Sequence, residues 1–274
     1  MNLRNIQKNQ LALFFILAYL ISWSIWGTLI LFPETMGENY FLIIIGAFGP
    51  FASATILNRR QKGKEETTKW RKKILSIRKH VKWHLIGGLG IPLIIALLHV
   101  GYVSITQGLP SLKTDPPWYW LLPAIPINIF VVFVYSSAFG EEPGWQGYAM
   151  PRLLKQYNAI TSVFILGVLW TLWHIPLQFI PIYGGGEPLH LMLIYTPALA
   201  AIASWLTLNA EGSVMPAVFL HYATNLYGGY LLGTEIFMEP LSVNFSLVKM
   251  VLYWLIAIVL LVRTKGTLGF NIPE

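Results

Sequence analysis

Apolar residues arrive along this chain in long blocks. Eight stand out: Leu11–Phe32, Tyr40–Leu57, Trp83–Ile105, Trp118–Phe139, Ala159–Pro181, His190–Leu208, Ser213–Leu232 and Ser246–Val262. Each approaches the ~20 residues that a helix needs to cross the hydrocarbon of a bilayer. In that medium every backbone N–H and C=O must be satisfied internally, which a helix achieves. The pattern predicts an all-α polytopic membrane protein of about eight transmembrane helices, built as a single domain over residues 1–274. The run from Leu11 is too long for a signal-peptide core, and no small-residue cleavage site follows it, so it reads as the first span.

Composition supports this reading. Hydrophobic residues make up 55% and charged residues 11%, against about 25% charged in a soluble domain. With no cysteine, disulfide frameworks, thiolate metal sites and a cysteine nucleophile are excluded. The net charge of +7 is explained by where the bases sit. If the N-terminus is inside, the inner segments hold Arg4, Lys8, eleven bases from Arg59 to Lys82, Arg152, Lys155, Arg263 and Lys265, which is 17 of the 19 Lys and Arg residues. The outer loops keep Lys113 and carry Glu34, Glu38, Asp115, Glu187, Glu235 and Glu239, while Lys249 opens the last span. This bias predicts both termini in the cytoplasm and an integral protein of the plasma membrane. The hydrophilic stretch Asn58–Lys82 reads as a topology-setting loop, its second half resting on anionic headgroups, and no nucleic-acid partner is expected. His80 and His84 are expected to be solvated, and His99 and His190 to pack or hydrogen-bond locally.

Three constellations carry chemistry. Glu141 and Glu142 stand at the foot of the fourth apolar run, where an unpartnered charge costs roughly 2.5–3.5 kcal/mol on insertion scales. Neighbouring helical residues point about 100° apart, so one carboxylate should face a reacting centre while the other holds the structure. Gln146, four residues after Glu142, shares its face and can donate a hydrogen bond to it. In the fifth run, Trp170 and His174 are four apart, so the indole should cover the imidazole, and Pro176 should free a carbonyl and bend the helix. In the seventh, His221 and Asn225 lie one turn apart on one face, among the small residues Gly212, Ala217, Ala223, Gly228 and Gly229 that let helices approach closely. A carboxylate base, two imidazoles and an amide suffice to activate water against a carbonyl. The chain has no His-Glu-x-x-His, no Gly-x-Ser-x-Gly and no Asp pair within spans, so such a site has to be assembled from separate helices.

The order Glu-Glu-x-x-x-[Arg], aromatic-x-x-x-His and His-x-x-x-Asn resembles the type II CAAX prenyl protease and bacteriocin-processing (CPBP, Abi) family of intramembrane proteases. The likeness covers about 118–232, including the wording from Pro143 to Leu153. It implies a conical intramembrane catalytic cavity and cleavage of a membrane-associated or prenylated peptide. It further implies Glu141 as the base, Glu142 as its structural partner, and His174, His221 and Asn225 completing the site. Two mechanisms stay open. In one, His174, His221 and Glu141 ligate a divalent metal such as zinc; in the other, Glu141 acts without metal while His221 and Asn225 steady the oxyanion. Gln146 stands where the family usually has Arg, with Arg152 a candidate substitute, and Trp170 stands where Phe is common. The departure at Gln146 keeps open a catalytically weak scaffold or bacteriocin-immunity protein of the same fold. A proton-coupled transporter ranks last, because the polar residues cluster in one half of the chain.

Overall fold

The computed structural model describes residues 3–36, 39–77, 79–109, 137–183, 187–227 and 245–270. Among these, all regular structure is helical. Six helices are long and apolar enough to cross a membrane: Asn9–Leu31, Tyr40–Ile74, Val81–Gln107, Ala159–Phe179, Leu189–Asn209 and Phe245–Arg263. They coincide with the first, second, third, fifth, sixth and eighth apolar runs. The fourth run lies outside the described residues but for its last three positions, as do Gly228 and Gly229 of the seventh. Within the seventh, Met215–Asn225 forms a helix of 11 residues. The chain is a polytopic all-α membrane protein.

The second span is two helices, Tyr40–Ala47 and Gly49–Ile74, hinged at Phe48, with Pro50 in the first turn of the second. A proline is tolerated there because its missing N–H would have no intrahelical partner. Helix does not stop where the apolar run ends. It continues through the hydrophilic stretch to Ile74, turning at Gly63, whose φ of 82° favours glycine. The loop expected from Asn58 is thus helical over most of its length. Its Lys, Arg, Glu and Gln residues are good helix formers, and Lys69 pairs with both Glu65 and Glu66 at 2.9 Å. His84 also departs from expectation: it is buried, with Nδ1 on the His80 carbonyl at 3.0 Å and its ring edge-on to Phe219. His99 is buried and bonded to the Tyr227 hydroxyl at 2.9 Å, as a packed histidine should be.

Small residues let the helices meet closely, as is usual between membrane helices. A Cβ at Gly167 would lie 2.5 Å from the Pro197 backbone, so Ala159–Trp173 and Leu189–Asn209 touch main chain to main chain. At Gly144 a Cβ would lie 2.5 Å from Pro50. That second contact seats the segment carrying the glutamate pair against the second span.

Candidate active site

The glutamates lie on a short helix, Ala138–Gly144, preceded by Ser137 in the left-handed region with φ 55°. A non-glycine residue pays about 1–2 kcal/mol for that conformation. Pro143 withholds an N–H within the helix, and the backbone widens into a π turn over Trp145–Ala149 before Met150–Leu154 resumes the α form. Such π turns recur at functional sites.

Both glutamates are about 1% exposed, and they diverge as the 100° step requires. Glu141 lines a cavity of about 130 Å³, together with His174, His221 and Asn225. Its Oε1 accepts from the Ser137 hydroxyl, and its Oε2 accepts from Trp170 Nε1 at 2.7 Å. Glu142 stands behind the cavity wall, where its Oε1 accepts from His221 Nδ1 at 3.0 Å. His174 terminates helix Ala159–Trp173, before the 3₁₀ turn that contains Pro176, and its Nδ1 donates to the Trp170 carbonyl at 2.8 Å. Each imidazole, with Nδ1 so engaged, leaves Nε2 as the nitrogen for chemistry. The cavity has room for several waters. Four of the five residues expected at the site therefore share one hole, and the fifth orients one of the four.

Three local expectations are corrected. Trp170 does not cover His174: its ring meets His221 edge-on at 5.6 Å, and it is Trp173 that stands against His174, at 4.8 Å. His174 keeps helical backbone angles at the end of that helix and turns its ring nitrogen back onto the Trp170 carbonyl, while the Trp170 indole reaches across to Glu141. Gln146 does not bond Glu142; its Oε1 bonds the Ser204 hydroxyl at 2.9 Å, while Glu142 Oε2 and Gln146 Nε2 are buried with no hydrogen-bond partner among the described residues. Nor does Arg152 substitute for the family arginine. Its guanidinium lies 3.4 Å above the Tyr148 ring and donates to the Tyr148 carbonyl at 3.0 Å.

The cavity has walls that sequence reasoning missed. Ser137, Tyr183, Tyr195 and Tyr253 contribute, with an ion pair between Lys249 Nζ and Glu187 Oε1 at 2.6 Å. The Ser246 hydroxyl donates to the same Glu187 oxygen at 2.7 Å, and Lys249 lies 4.5 Å over the Tyr195 ring. Lys249 had a signal: it is a lone cation in an apolar run, which calls for a partner. This wall lies away from the basic stretch. Glu187 precedes helix Leu189–Asn209, roughly 30 Å long at 1.5 Å per residue, whose far end leads to Gly212 beside Lys73.

A metal was tested against the side chains. Among the described residues no three His, Asp or Glu side chains are gathered as an ion would require. Glu141 has both oxygens on protein donors, whereas His174 and His221, each with Nδ1 engaged, present Nε2 as metal-bound histidines do. As arranged, the described side chains offer two imidazoles and no third ligand, which does not fit a three-ligand centre.

Comparison with known proteins bears on this geometry. Residues 121–227 match the Rce1-like type II CAAX prenyl endopeptidase family. The chain is also 24% identical over 229 residues to CAAX prenyl protease 2 of Methanococcus maripaludis, covering 78% of this chain and 82% of that protein. The likeness is to proteases, and the Rce1-like stretch contains Glu141, Glu142, His174, His221 and Asn225.

Proposed function

We propose that the chain is an intramembrane endopeptidase of the CAAX prenyl protease type, cutting a membrane-associated or lipidated peptide with water activated by Glu141. The observation that carries this is a carboxylate fixed by two donors, Ser137 and Trp170, in a cavity shared with His174, His221 and Asn225. Glu141 takes the proton as water attacks the scissile carbonyl, then delivers it to the departing amine. The tetrahedral oxyanion accepts from Asn225 Nδ2–H and from His221. With Nδ1 held on Glu142, a second ring proton on His221 sits on Nε2, where it can be donated. His174 orients the water or the carbonyl from the opposite wall. The basic end, with both termini, faces the cytoplasm of a plasma membrane.

Cleavage of a farnesylated CAAX peptide and of a library of membrane peptides by the purified protein tests this reading. Wild type should cut at least one, and Glu141→Ala and His221→Ala should not. Cleavage retained in both variants would remove the mechanism. Turnover should survive chelation with 1,10-phenanthroline; loss of turnover that zinc restores would replace the metal-free step with a metal-bound one.

A second reading, a peptide-binding scaffold or immunity protein, is favoured by one observation: Glu142 Oε2 has no hydrogen-bond partner among the described residues, and Gln146 bonds Ser204 in place of it. Peptide binding unchanged by Glu141→Gln, with no turnover by wild type, would establish it.

A further inference from the structure

Gln146 takes no part in the carboxylate network; it bonds Ser204 and lies under the floor of a second cavity of about 380 Å³ at the basic end of the bundle. Lys62 and Lys73 reach this cavity from helix Gly49–Ile74, and Arg152 and Lys155 from the segment after the π turn. Among the described residues no carboxylate lines it. The acids nearest in sequence are engaged elsewhere: Glu65 and Glu66 hold Lys69, and Glu211 lies 3.4 Å from His80. The rim is open, with Lys62, Lys73 and Lys155 exposed, but the floor is not. There the carboxamides of Asn58 and Gln146 are 2% and 1% exposed, and Asn58 Nδ2 and Gln146 Nε2 have no hydrogen-bond partner among the described residues.

Buried N–H groups in native proteins nearly always have a partner. Two such donors beneath three lysines and the charge of Arg152 suit an anion with several acceptor oxygens. We propose that this cavity binds a phosphate group, with the cations at its rim and the two carboxamides beneath. Arg and Lys grip phosphate by charge-assisted hydrogen bonds, and neutral amide donors on the floor read its oxygens without adding charge. The group can come from the headgroup of an anionic lipid at the cytoplasmic surface or from a soluble phosphate. Trp70 on the cavity wall, its Nε1 on the Gly147 carbonyl at 3.2 Å, is the kind of side chain that marks headgroup depth. The site does not depend on the proposed protease chemistry, and binding reads it out independently.

The test uses the full chain in two arms. In the first, it is placed in nanodiscs of phosphatidylcholine with rising phosphatidylglycerol, and retained lipid is counted by native mass spectrometry. In the second, inorganic phosphate and pyrophosphate are titrated into protein in neutral detergent, followed by calorimetry. Saturable binding near one site per chain is expected in at least one arm, and that arm names the source. Lys73→Gln with Lys155→Gln should weaken it on the order of tenfold or more. Lys73→Arg with Lys155→Arg should preserve it, which separates loss of the site from loss of the fold. Lys64→Gln with Lys79→Gln removes the same charge outside the cavity and should change affinity less than about twofold. No saturable binding in either arm, or equal weakening by the two Gln pairs, overturns the proposal.

Discussion

Two polar cavities among the described residues are built oppositely. In the smaller one each acid has at least one oxygen held: both of Glu141's by Ser137 and Trp170, Oε1 of Glu187 by Lys249 and Ser246, and Oε1 of Glu142, just behind it, by His221. In the larger one cations meet with no carboxylate among the described residues, and two amide donors have no partner there. Chemistry needs groups fixed before the substrate arrives, because reorganisation in the transition state is costly. Binding an ion needs valences left open. The difference agrees with the two proposals, reaction in the first cavity and ligation in the second.

The sharpest way to break this comparison is Glu141→Gln, which keeps shape and removes the base. Single-turnover cleavage should fall by roughly 10²–10⁴ while peptide affinity is kept. A loss below tenfold would mean that the held carboxylate is architectural. His221→Ala should come next, costing roughly 10²–10³ in kcat as an oxyanion donor is lost. It also strands Glu142, so unfolding should show a penalty of about 3–5 kcal/mol, the usual result of breaking a buried charged pair. Adding Glu142→Gln should recover much of that stability and none of the rate. Recovery of both would make His221 a structural clamp.

These variants probe groups that differ in how far the chain announces them. Periodicity was hardly needed for the fold, since blocks as long as a bilayer is thick leave few alternatives, and six of the eight runs are seen as long helices. Glu141, His174, His221 and Asn225 were legible because ionisable or amide groups in apolar runs require a reason. What was illegible lies across helices rather than along them. The i, i+4 rule put Trp170 over His174, but Trp170 Nε1 reaches Glu141, 29 positions back, and Trp173 supplies the ring instead. A Phe at position 170 would have kept the aromatic wall and lost this donor. Apolar blocks by themselves mark the basic stretch as a loop, whereas its helix-forming residues and the pairing of Lys69 with Glu65 and Glu66 accompany helix on to Ile74. Gln146 was misjudged for a related reason: helical spacing aims it at Glu142, while the π turn over Trp145–Ala149 breaks that spacing one residue earlier.

A smaller effect sharpens the first cavity. Lys249→Met leaves Glu187 with Ser246 but no cation. The pair is only partly buried, at 12% and 25% side-chain exposure, so the cost should fall between surface and buried values, about 2 kcal/mol by chemical unfolding. Lys249→Met with Glu187→Gln should return most of it. If the single variant is neutral, the cavity's acids are not mutually held, and the contrast between the two cavities fails on that side.

The smallest effect, of opposite sign, lies in the second cavity. Without an anion, its cations repel one another across a shared hole. In phosphate-free neutral detergent, Lys73→Gln with Lys155→Gln should therefore stabilise the chain by a few tenths of a kcal/mol, on the order of one exposed like-charge contact relieved. Raising salt from about 0.02 to 0.5 M shortens the Debye length well below the span of the cavity, so the gain should vanish there. Saturating phosphate should reverse it, since wild type then holds an anion that the variant has lost. A variant destabilised at low salt would show that these lysines are held like the acids at the other end, and the division between a cavity that reacts and a cavity that binds would have no electrostatic basis.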